Sequence, residues 1–219
     1  KMNDNPQVRI IAHRGARSLA PENTLSAAIK AYESGADGWE LDVAMSSDGV
    51  LVLLHDDTLE RTSDAIQVFP DRKPWSVYEF SLEDLNKLDF GSWFVESDPF
   101  EQAAQAHIST QDLDSYKGIR ITTLAEALQY TKDHQWWVNV EIKDSSKTPA
   151  DAVIVSKVVA LIEELGMQDQ VLISSFNHDY LRQVKAIDAS IPTGALVNQL
   201  VMDPLALMKD LDAQAFHPV

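Results

Sequence analysis

The chain has 219 residues, with 18 basic side chains against 34 acidic ones, a net charge of −16 and no cysteine. Its apolar fraction of 45% and charged fraction of 24% are ordinary globular values and exclude wholesale disorder. The acidic balance argues against an electrostatic grip on nucleic acid or on an anionic lipid surface. The missing cysteines remove disulfides, thiolate metal sites and thiol nucleophiles together.

In chain order, Lys1–Gln7 is polar and carries no apolar run of signal type. Val8–Ala12 reads as a first strand. Pro21-Glu22-Asn23 then opens a helix over Thr24–Ser34 that stops before Gly35. Gly38–Ala44 and Val50–His55 read as strands. The Ser46-Ser47-Asp48-Gly49 link between them is too short for a crossover, which needs about a dozen residues. Asp56–Ile121 has little strand character. It is rich in aromatic residues, including Trp75, Tyr78, Phe80, Phe90, Trp93 and Phe94, around a short helix at Ser81–Leu88, and reads as an insertion with its own packing. Thr123 and Glu126 form a capping box for a helix from Leu124. Trp137–Ile142 is a strand, and Thr148-Pro149 opens a helix to Leu165, stopped at Gly166. Val171–Ser175 and Thr193–Val197 are strands, Asn177–Ile187 and Pro204–Leu211 are helices, and Ala213–Phe216 is a candidate last strand. This alternation predicts an α/β fold with a mostly parallel sheet. The longest apolar run, Val50–Leu54, is far below the roughly 20 residues of a membrane span. A soluble chain without integral membrane association is expected. The cytoplasm is the first expectation for its compartment, with the periplasm or export left open.

Polar residues of unusual kind collect at the strand ends. His13-Arg14 follows the first strand, Glu40 and Asp42 share one face of the second, His55 ends the third, and Glu141 and Lys143 end the fourth. Strand C-terminal ends are where parallel α/β proteins place their active sites. Taken singly, each feature has a structural reading: a hydrogen-bonded histidine, an exposed salt-bridged pair, a same-face ion pair. Together they describe a site. Three carboxylates favour a hard cation, Mg²⁺ or Ca²⁺. Two histidines, with ordinary pKa near 6.5, suit acid–base work close to neutral pH. Arg14 and Lys143 supply donors for phosphate oxygens. The three carboxylates outnumber the two cationic side chains by one charge, and a divalent ion turns the set to +1. A locally positive pocket on an acidic protein would accept an anionic diester.

Ile11-Ala12-His13-Arg14-Gly15-Ala16, Pro21-Glu22-Asn23-Thr24, Glu40-Leu41-Asp42-Val43, Leu54-His55-Asp56 with Thr58-Leu59-Glu60-Arg61-Thr62, and Glu141-Ile142-Lys143 together resemble the glycerophosphodiester phosphodiesterase family. The resemblance runs from about Val8 to the end of the chain. It implies one TIM-type barrel domain over residues 1–219, with the Asp57–Ile121 insertion capping the pocket. It implies hydrolysis of glycerophosphodiesters to sn-glycerol 3-phosphate and an alcohol. It assigns Glu40, Asp42 and Glu141 to one divalent cation, His13 and His55 to acid–base catalysis, and Arg14 and Lys143 to phosphate. Phe176, at the end of the fifth strand, is the candidate apolar wall for glycerol. The family's likeness to phosphoinositide-specific phospholipases suggests attack by the glycerol 2-hydroxyl through a cyclic phosphate, with direct attack by water as the simpler route. A TIM barrel takes about 250 residues, and only six or seven strands are legible, so the chain is expected to lack the last βα segments. Two rival readings are a phospholipase D-type diesterase acting on lysophospholipids and a catalytically silent binding module of the same fold. A serine hydrolase has little support, because Ser174-Ser175 lacks a nucleophile elbow.

Overall fold

The computed structural model describes residues 8–218; Lys1–Gln7 and Val219 lie outside it. Six strands run parallel in one sheet in the order β1 (Ile11–Ala12), β2 (Gly38–Met45), β4 (Val138–Ile142), β5 (Val171–Ser175), β6 (Thr193–Val197) and β7 (Ala215–Pro218). A seventh, β3 (Leu51–Leu53), pairs antiparallel with β2. Among the described residues β1 and β7 are not paired with each other.

Strands covered on both faces read as near-continuous apolar runs, and β2, β4 and β5 are buried along their whole length. On the outer face Trp39, Leu41, Val43, Val138, Val140 and Ile142 pack under three helices, α1 (Leu25–Glu33), α6 (Leu124–Asp133) and α7 (Ile154–Leu165). The Trp39 indole N–H donates to Thr131 Oγ1 at 2.9 Å, so even this deep aromatic group is satisfied. Helix α8 (His178–Ile187) continues the layer through Tyr180 and Val184, and α9 (Pro204–Leu211) follows β6. The helix ends follow the sequence signals. Thr24 accepts from the Ala27 N–H, the Thr123–Glu126 capping box is complete, and Gly166 ends α7 at φ 64°.

Several boundaries differ from expectation, each for a local reason. The first strand shrinks to Ile11–Ala12 because the Ile10 N–H donates to the Asp37 side chain and not to a neighbouring strand. The helix expected from Pro149 is a single 3-10 turn, Pro149–Ala152, separated from α7 by Val153 at φ −136°. The last strand starts at Ala215, two residues late, because the Ala213 N–H still closes α9 on the Met208 carbonyl. The third strand is shorter than Val50–His55, covering Leu51–Leu53, and it runs antiparallel as its short link requires. β2 continues past Asp42 to Met45, Ser46 closes the hairpin on Val50, and β3 returns the chain towards Asp42.

The long segment after β3 holds α2 (Ala65–Val68), α3 (Leu82–Leu85), α4 (Ser92–Ser97) and α5 (Thr110–Tyr116). One apolar cluster joins Trp75, Phe80, Leu85 and Phe90 to Ala44, Val52 and Leu54 of the hairpin. A second joins Phe94, Ile108 and Tyr116 to Ala20 and Ala27 beside the first helix. No helix among the described residues is long and apolar enough to cross a membrane.

Candidate active site

Strand register assembles the centre. Asp42 sits opposite Glu141 across the β2–β4 ladder, and Glu40 lies two residues back on the same face. One carboxylate oxygen from each of Glu40, Asp42 and Glu141 lies within 4.8 Å of the others, and all three residues are buried. Glu40 and Asp42 therefore lie inside their strand and not at its end, since β2 overshoots to form the hairpin. His55 reaches the same level because β3 turns back, with the Leu54 N–H donating to the Asp42 carbonyl.

Three like charges in one buried pocket are unfavourable unless compensated. Burial and the neighbouring Asp42 push Glu40 well above the usual carboxylate range, against one hydrogen bond from the Arg14 N–H. Burial and Asp42 raise Glu141 as well, opposed by the Lys143 ammonium at 2.8 Å. Burial alone would lower Lys143, but Asp42 at 3.5 Å and Glu141 outweigh it and raise its pKa. Glu40 Oε1 and Asp42 Oδ1 are buried without a hydrogen-bond partner. Two acceptor oxygens from a cluster of three carboxylates are thus left for a cation. This all-oxygen set fits a hard divalent ion.

The residues around the triad hold it rigidly. Asn23 braces Asp42 twice: its Nδ2 donates to Oδ2 at 2.8 Å, and its Oδ1 accepts the Asp42 N–H at 3.0 Å. Arg14 and Asn23 both take left-handed backbone, at φ 56° and 57°, to turn these groups inward. Arg14 Nη1 donates to Glu22 at 2.9 Å, and its Nε lies 3.4 Å from Asp42. His13 Nε2 is 3.7 Å from Glu40. Burial, together with Arg14 and Arg17, lowers the His13 pKa to about 4, so its imidazole is neutral at pH 7. His55 Nδ1 lies 2.6 Å from Asp56 Oδ1. Burial would raise Asp56, but hydrogen bonds from Arg61 and His55 bring it down to about 2. An ionised carboxylate only accepts, so Nδ1 carries the proton and Nε2 is left for the site.

Beside the centre lies a cavity of ≈ 440 Å³ whose lining includes Asp57, Ser76, Tyr78, Glu141, Lys143 and Phe176. Phe176 stands 40% exposed against it. The structure thus gathers Glu40, Asp42, Glu141, His13, Arg14, His55 and Lys143, and places Phe176 on the adjoining wall.

Sequence reasoning quoted Glu22, Asn23, Asp56 and Arg61 inside motifs but gave none of them a task. Their signal in the sequence is a Glu-Asn pair between a strand end and a helix start, a pattern that also suits a plain helix opener. These residues also change the charge count. Glu22 and Asp56 against Arg61 add one net negative charge, so a divalent ion leaves the enlarged cluster neutral and not +1. His178 and His107 are tied up elsewhere, on the Leu196 carbonyl and on Gln102. Trp75 is buried in the insertion core, and Trp93 lies 5.9 Å from the Arg61 guanidinium.

Gly15 sets the turn that carries Arg14. It lies at φ 76°, and a Cβ there would stand 2.6 Å from the Ala27 backbone carbon and its Cβ. Gly15→Ala is expected to destabilise the fold by about 2–4 kcal/mol, combining left-handed strain with overpacking. Denaturant unfolding checks this, and a loss below about 0.5 kcal/mol, ordinary for a neutral surface change, would refute the argument.

Residues 13–219 match the sequence profile of the glycerophosphoryl diester phosphodiesterase family. The chain belongs to this family. Its enzyme class is the family's, a phosphoric diester hydrolase. A glycerophosphodiester phosphodiesterase of Caldanaerobacter subterraneus subsp. tengcongensis is 35% identical over 209 residues, spanning 95% of this chain and 74% of the relative. A Bacillus altitudinis glycerophosphodiester phosphodiesterase is 31% identical over 212 residues, spanning 96% and 75%. Among solved structures, an Oleispira antarctica phosphodiesterase in complex with the product sn-glycerol-3-phosphate superposes with a TM-score of 0.78 at 29% identity, covering 96% of this chain and 74% of that one. The α/β architecture is thus the family's TIM-type fold, of which the described residues form an open run of parallel strands with covering helices.

Proposed function

We propose that the chain hydrolyses glycerophosphodiesters to sn-glycerol 3-phosphate and an alcohol, at the site built from Glu40, Asp42, Glu141, His13, Arg14, His55 and Lys143. The observation that carries this reading is a carboxylate triad with two unpartnered buried oxygens, flanked by two phosphate-competent cations and two histidines. Glu40, Asp42 and Glu141 would hold one divalent cation, Mg²⁺ or Ca²⁺. When bound, such an ion supplies Lewis-acid polarisation and neutralises developing phosphoryl charge.

The chain's own side chains supply the rest. Arg14 and Lys143 orient the phosphoryl group and share its growing negative charge. Both are pinned by carboxylates, so little reorganisation is needed when substrate arrives. His13 and His55 divide the proton transfers: one takes a proton from the attacking oxygen and the other gives one to the leaving alcohol. The neutral imidazole of His13 can accept, and His55 presents Nε2 because Asp56 occupies its other nitrogen. Phe176 and Tyr78 wall the adjoining cavity, the second from the insertion, which in this reading caps the pocket.

The test is choline release from glycerophosphocholine, with glycerol 3-phosphate as its other product, measured beside choline release from lysophosphatidylcholine, with Mg²⁺ or Ca²⁺ added and then chelated. Turnover of glycerophosphocholine at least about tenfold faster in kcat/KM, a preference of about 1.4 kcal/mol, and loss of it on chelation are expected. A preference for the lysophospholipid would move the chain to a phospholipase D-type activity. No turnover of either with either metal would overturn the reading.

A further inference from the structure

Away from the triad, one polar chain runs unbroken through the site. His55 Nδ1 meets Asp56 Oδ1 at 2.6 Å. Arg61 grips Asp56 through Nε at 2.6 Å and Nη2 at 3.0 Å. The same guanidinium donates to both oxygens of Glu22, at 3.1 and 2.7 Å. Glu22 in turn accepts from Arg14 at 2.9 Å. Glu22 is the hinge of this chain: its side chain is only 7% exposed and lies between two guanidinium groups. Burial would favour its neutral form, but Arg61 and Arg14 outweigh that and keep it ionised.

An exposed pair between Arg61 and one carboxylate would contribute little. Two features make this one different. Arg61 addresses two carboxylates at once, which requires the planar fork that only arginine offers. The carboxylates it joins belong to the turn after β1 and the turn after β3, which meet along one side of β2, where the Glu40 carbonyl accepts from the Gly15 N–H and the Asp42 carbonyl from the Leu54 N–H.

We propose that Arg61 and Glu22 are positioning residues, locking the acid–base imidazole of His55, through Asp56, to the phosphate-orienting guanidinium of Arg14 in one rigid unit. The inference rests on the roles given to His55 and Arg14 under the proposed function. The imidazole is held in one tautomer and one ring orientation, with Nε2 facing the reacting atoms. Removing Arg61 frees Asp56 to rotate, and the neutral imidazole then samples both tautomers. Removing the Glu22 charge cuts the link between the two guanidinium groups, leaving Arg61 on Asp56 alone and Arg14 beside Asp42 alone. A purely electrostatic role would do the opposite, because losing a carboxylate beside Arg14 would strengthen anion binding.

The test uses the full chain with saturating Mg²⁺ or Ca²⁺ and glycerophosphocholine as substrate. Arg61 is 43% exposed, so Arg61→Lys and Arg61→Met are expected to fold, and thermal melts verify it. Both are expected to lower kcat about 10- to 100-fold with KM within about threefold, the pattern of a lost transition-state interaction. Glu22→Gln is expected to lower kcat similarly and not to lower KM. The lysine variant keeps the charge and loses the fork, so wild-type kcat in Arg61→Lys would overturn the proposal. Long-range ¹⁵N spectra of the histidines, recorded where imidazole is neutral, provide a readout that stability does not move. A single Nδ1–H tautomer for His55 in the wild type, and a mixture in Arg61→Met, are expected. An unchanged His55 spectrum with unchanged kcat would also overturn the proposal. His55→Ala separates the two levels: if it stays active, the acid–base role given to His55 under the proposed function fails, and if it is dead while the Arg61 variants are wild-type, only the positioning role fails.

Discussion

His13→Ala and His55→Ala are each expected to lower turnover of glycerophosphocholine by about 10²–10⁴-fold, the range for removal of a positioned proton-transfer group. The loss should be chemical and not conformational. Both imidazoles are partly exposed, at 52% and 34%, and neither anchors an apolar cluster. Substitutions of that kind usually change stability by less than about 0.5 kcal/mol. Isothermal titration with Mg²⁺ or Ca²⁺ should still show binding, because the three carboxylates remain. The two variants should then part company on a substrate with a p-nitrophenyl leaving group. Such a leaving group needs no proton, so the variant lacking the acid recovers most of its rate and the variant lacking the base recovers none. Equal recovery, or near-normal activity of either variant on glycerophosphocholine, would remove the division of labour between His13 and His55.

The helices and most strands were legible because their signals are local. Thr24, Thr123, Asn177 and Gly166 mark helix ends in the sequence and occupy those ends in the fold. The site residues were legible for a different reason. A Glu-x-Asp on a buried strand and a Glu-x-Lys on its neighbour have few structural justifications, so their types betray them. What local patterns missed depends on long-range geometry. That β3 runs backwards follows from the short hairpin, but that this returns His55 to the level of Asp42 depends on β2 overshooting by three residues. The Glu22–Arg61–Asp56 chain is spread over 39 sequence positions, and only the sheet closes that distance. Asn23 looked like a helix opener because its side chain gives no sign, in sequence, of reaching back to Asp42.

Adding Mg²⁺ or Ca²⁺ at about 100 times its Kd is expected to stabilise the chain by about 2.7 kcal/mol. A chain of this length gains about 2–4 °C per kcal/mol, so the melting temperature should rise by roughly 5–11 °C at neutral pH. The sign of the pH dependence follows from the triad. Without a cation, Glu40 and Glu141 titrate above the ordinary value near 4.5, because burial and Asp42 disfavour their charged forms. Between that value and the raised one, the folded chain binds more protons than the unfolded chain. Stability therefore falls as pH rises through this window, and the loss is complete above it. A cation offsets that loss where the carboxylates are ionised and competes with protons where they are not. The thermal shift should thus be largest at neutral and alkaline pH and fade towards pH 4.5. Glu40→Gln sharpens the test, because it removes one uncompensated buried charge and one ligand together. It should melt above the cation-free wild type at neutral pH, respond little to added cation, and lose activity. A melting temperature indifferent to both cations across pH, with activity surviving chelation, would show that the three carboxylates are not a metal site. In the proposed reading the buried triad costs folding stability that a bound cation restores, which is why stability and activity are expected to move in opposite directions in Glu40→Gln.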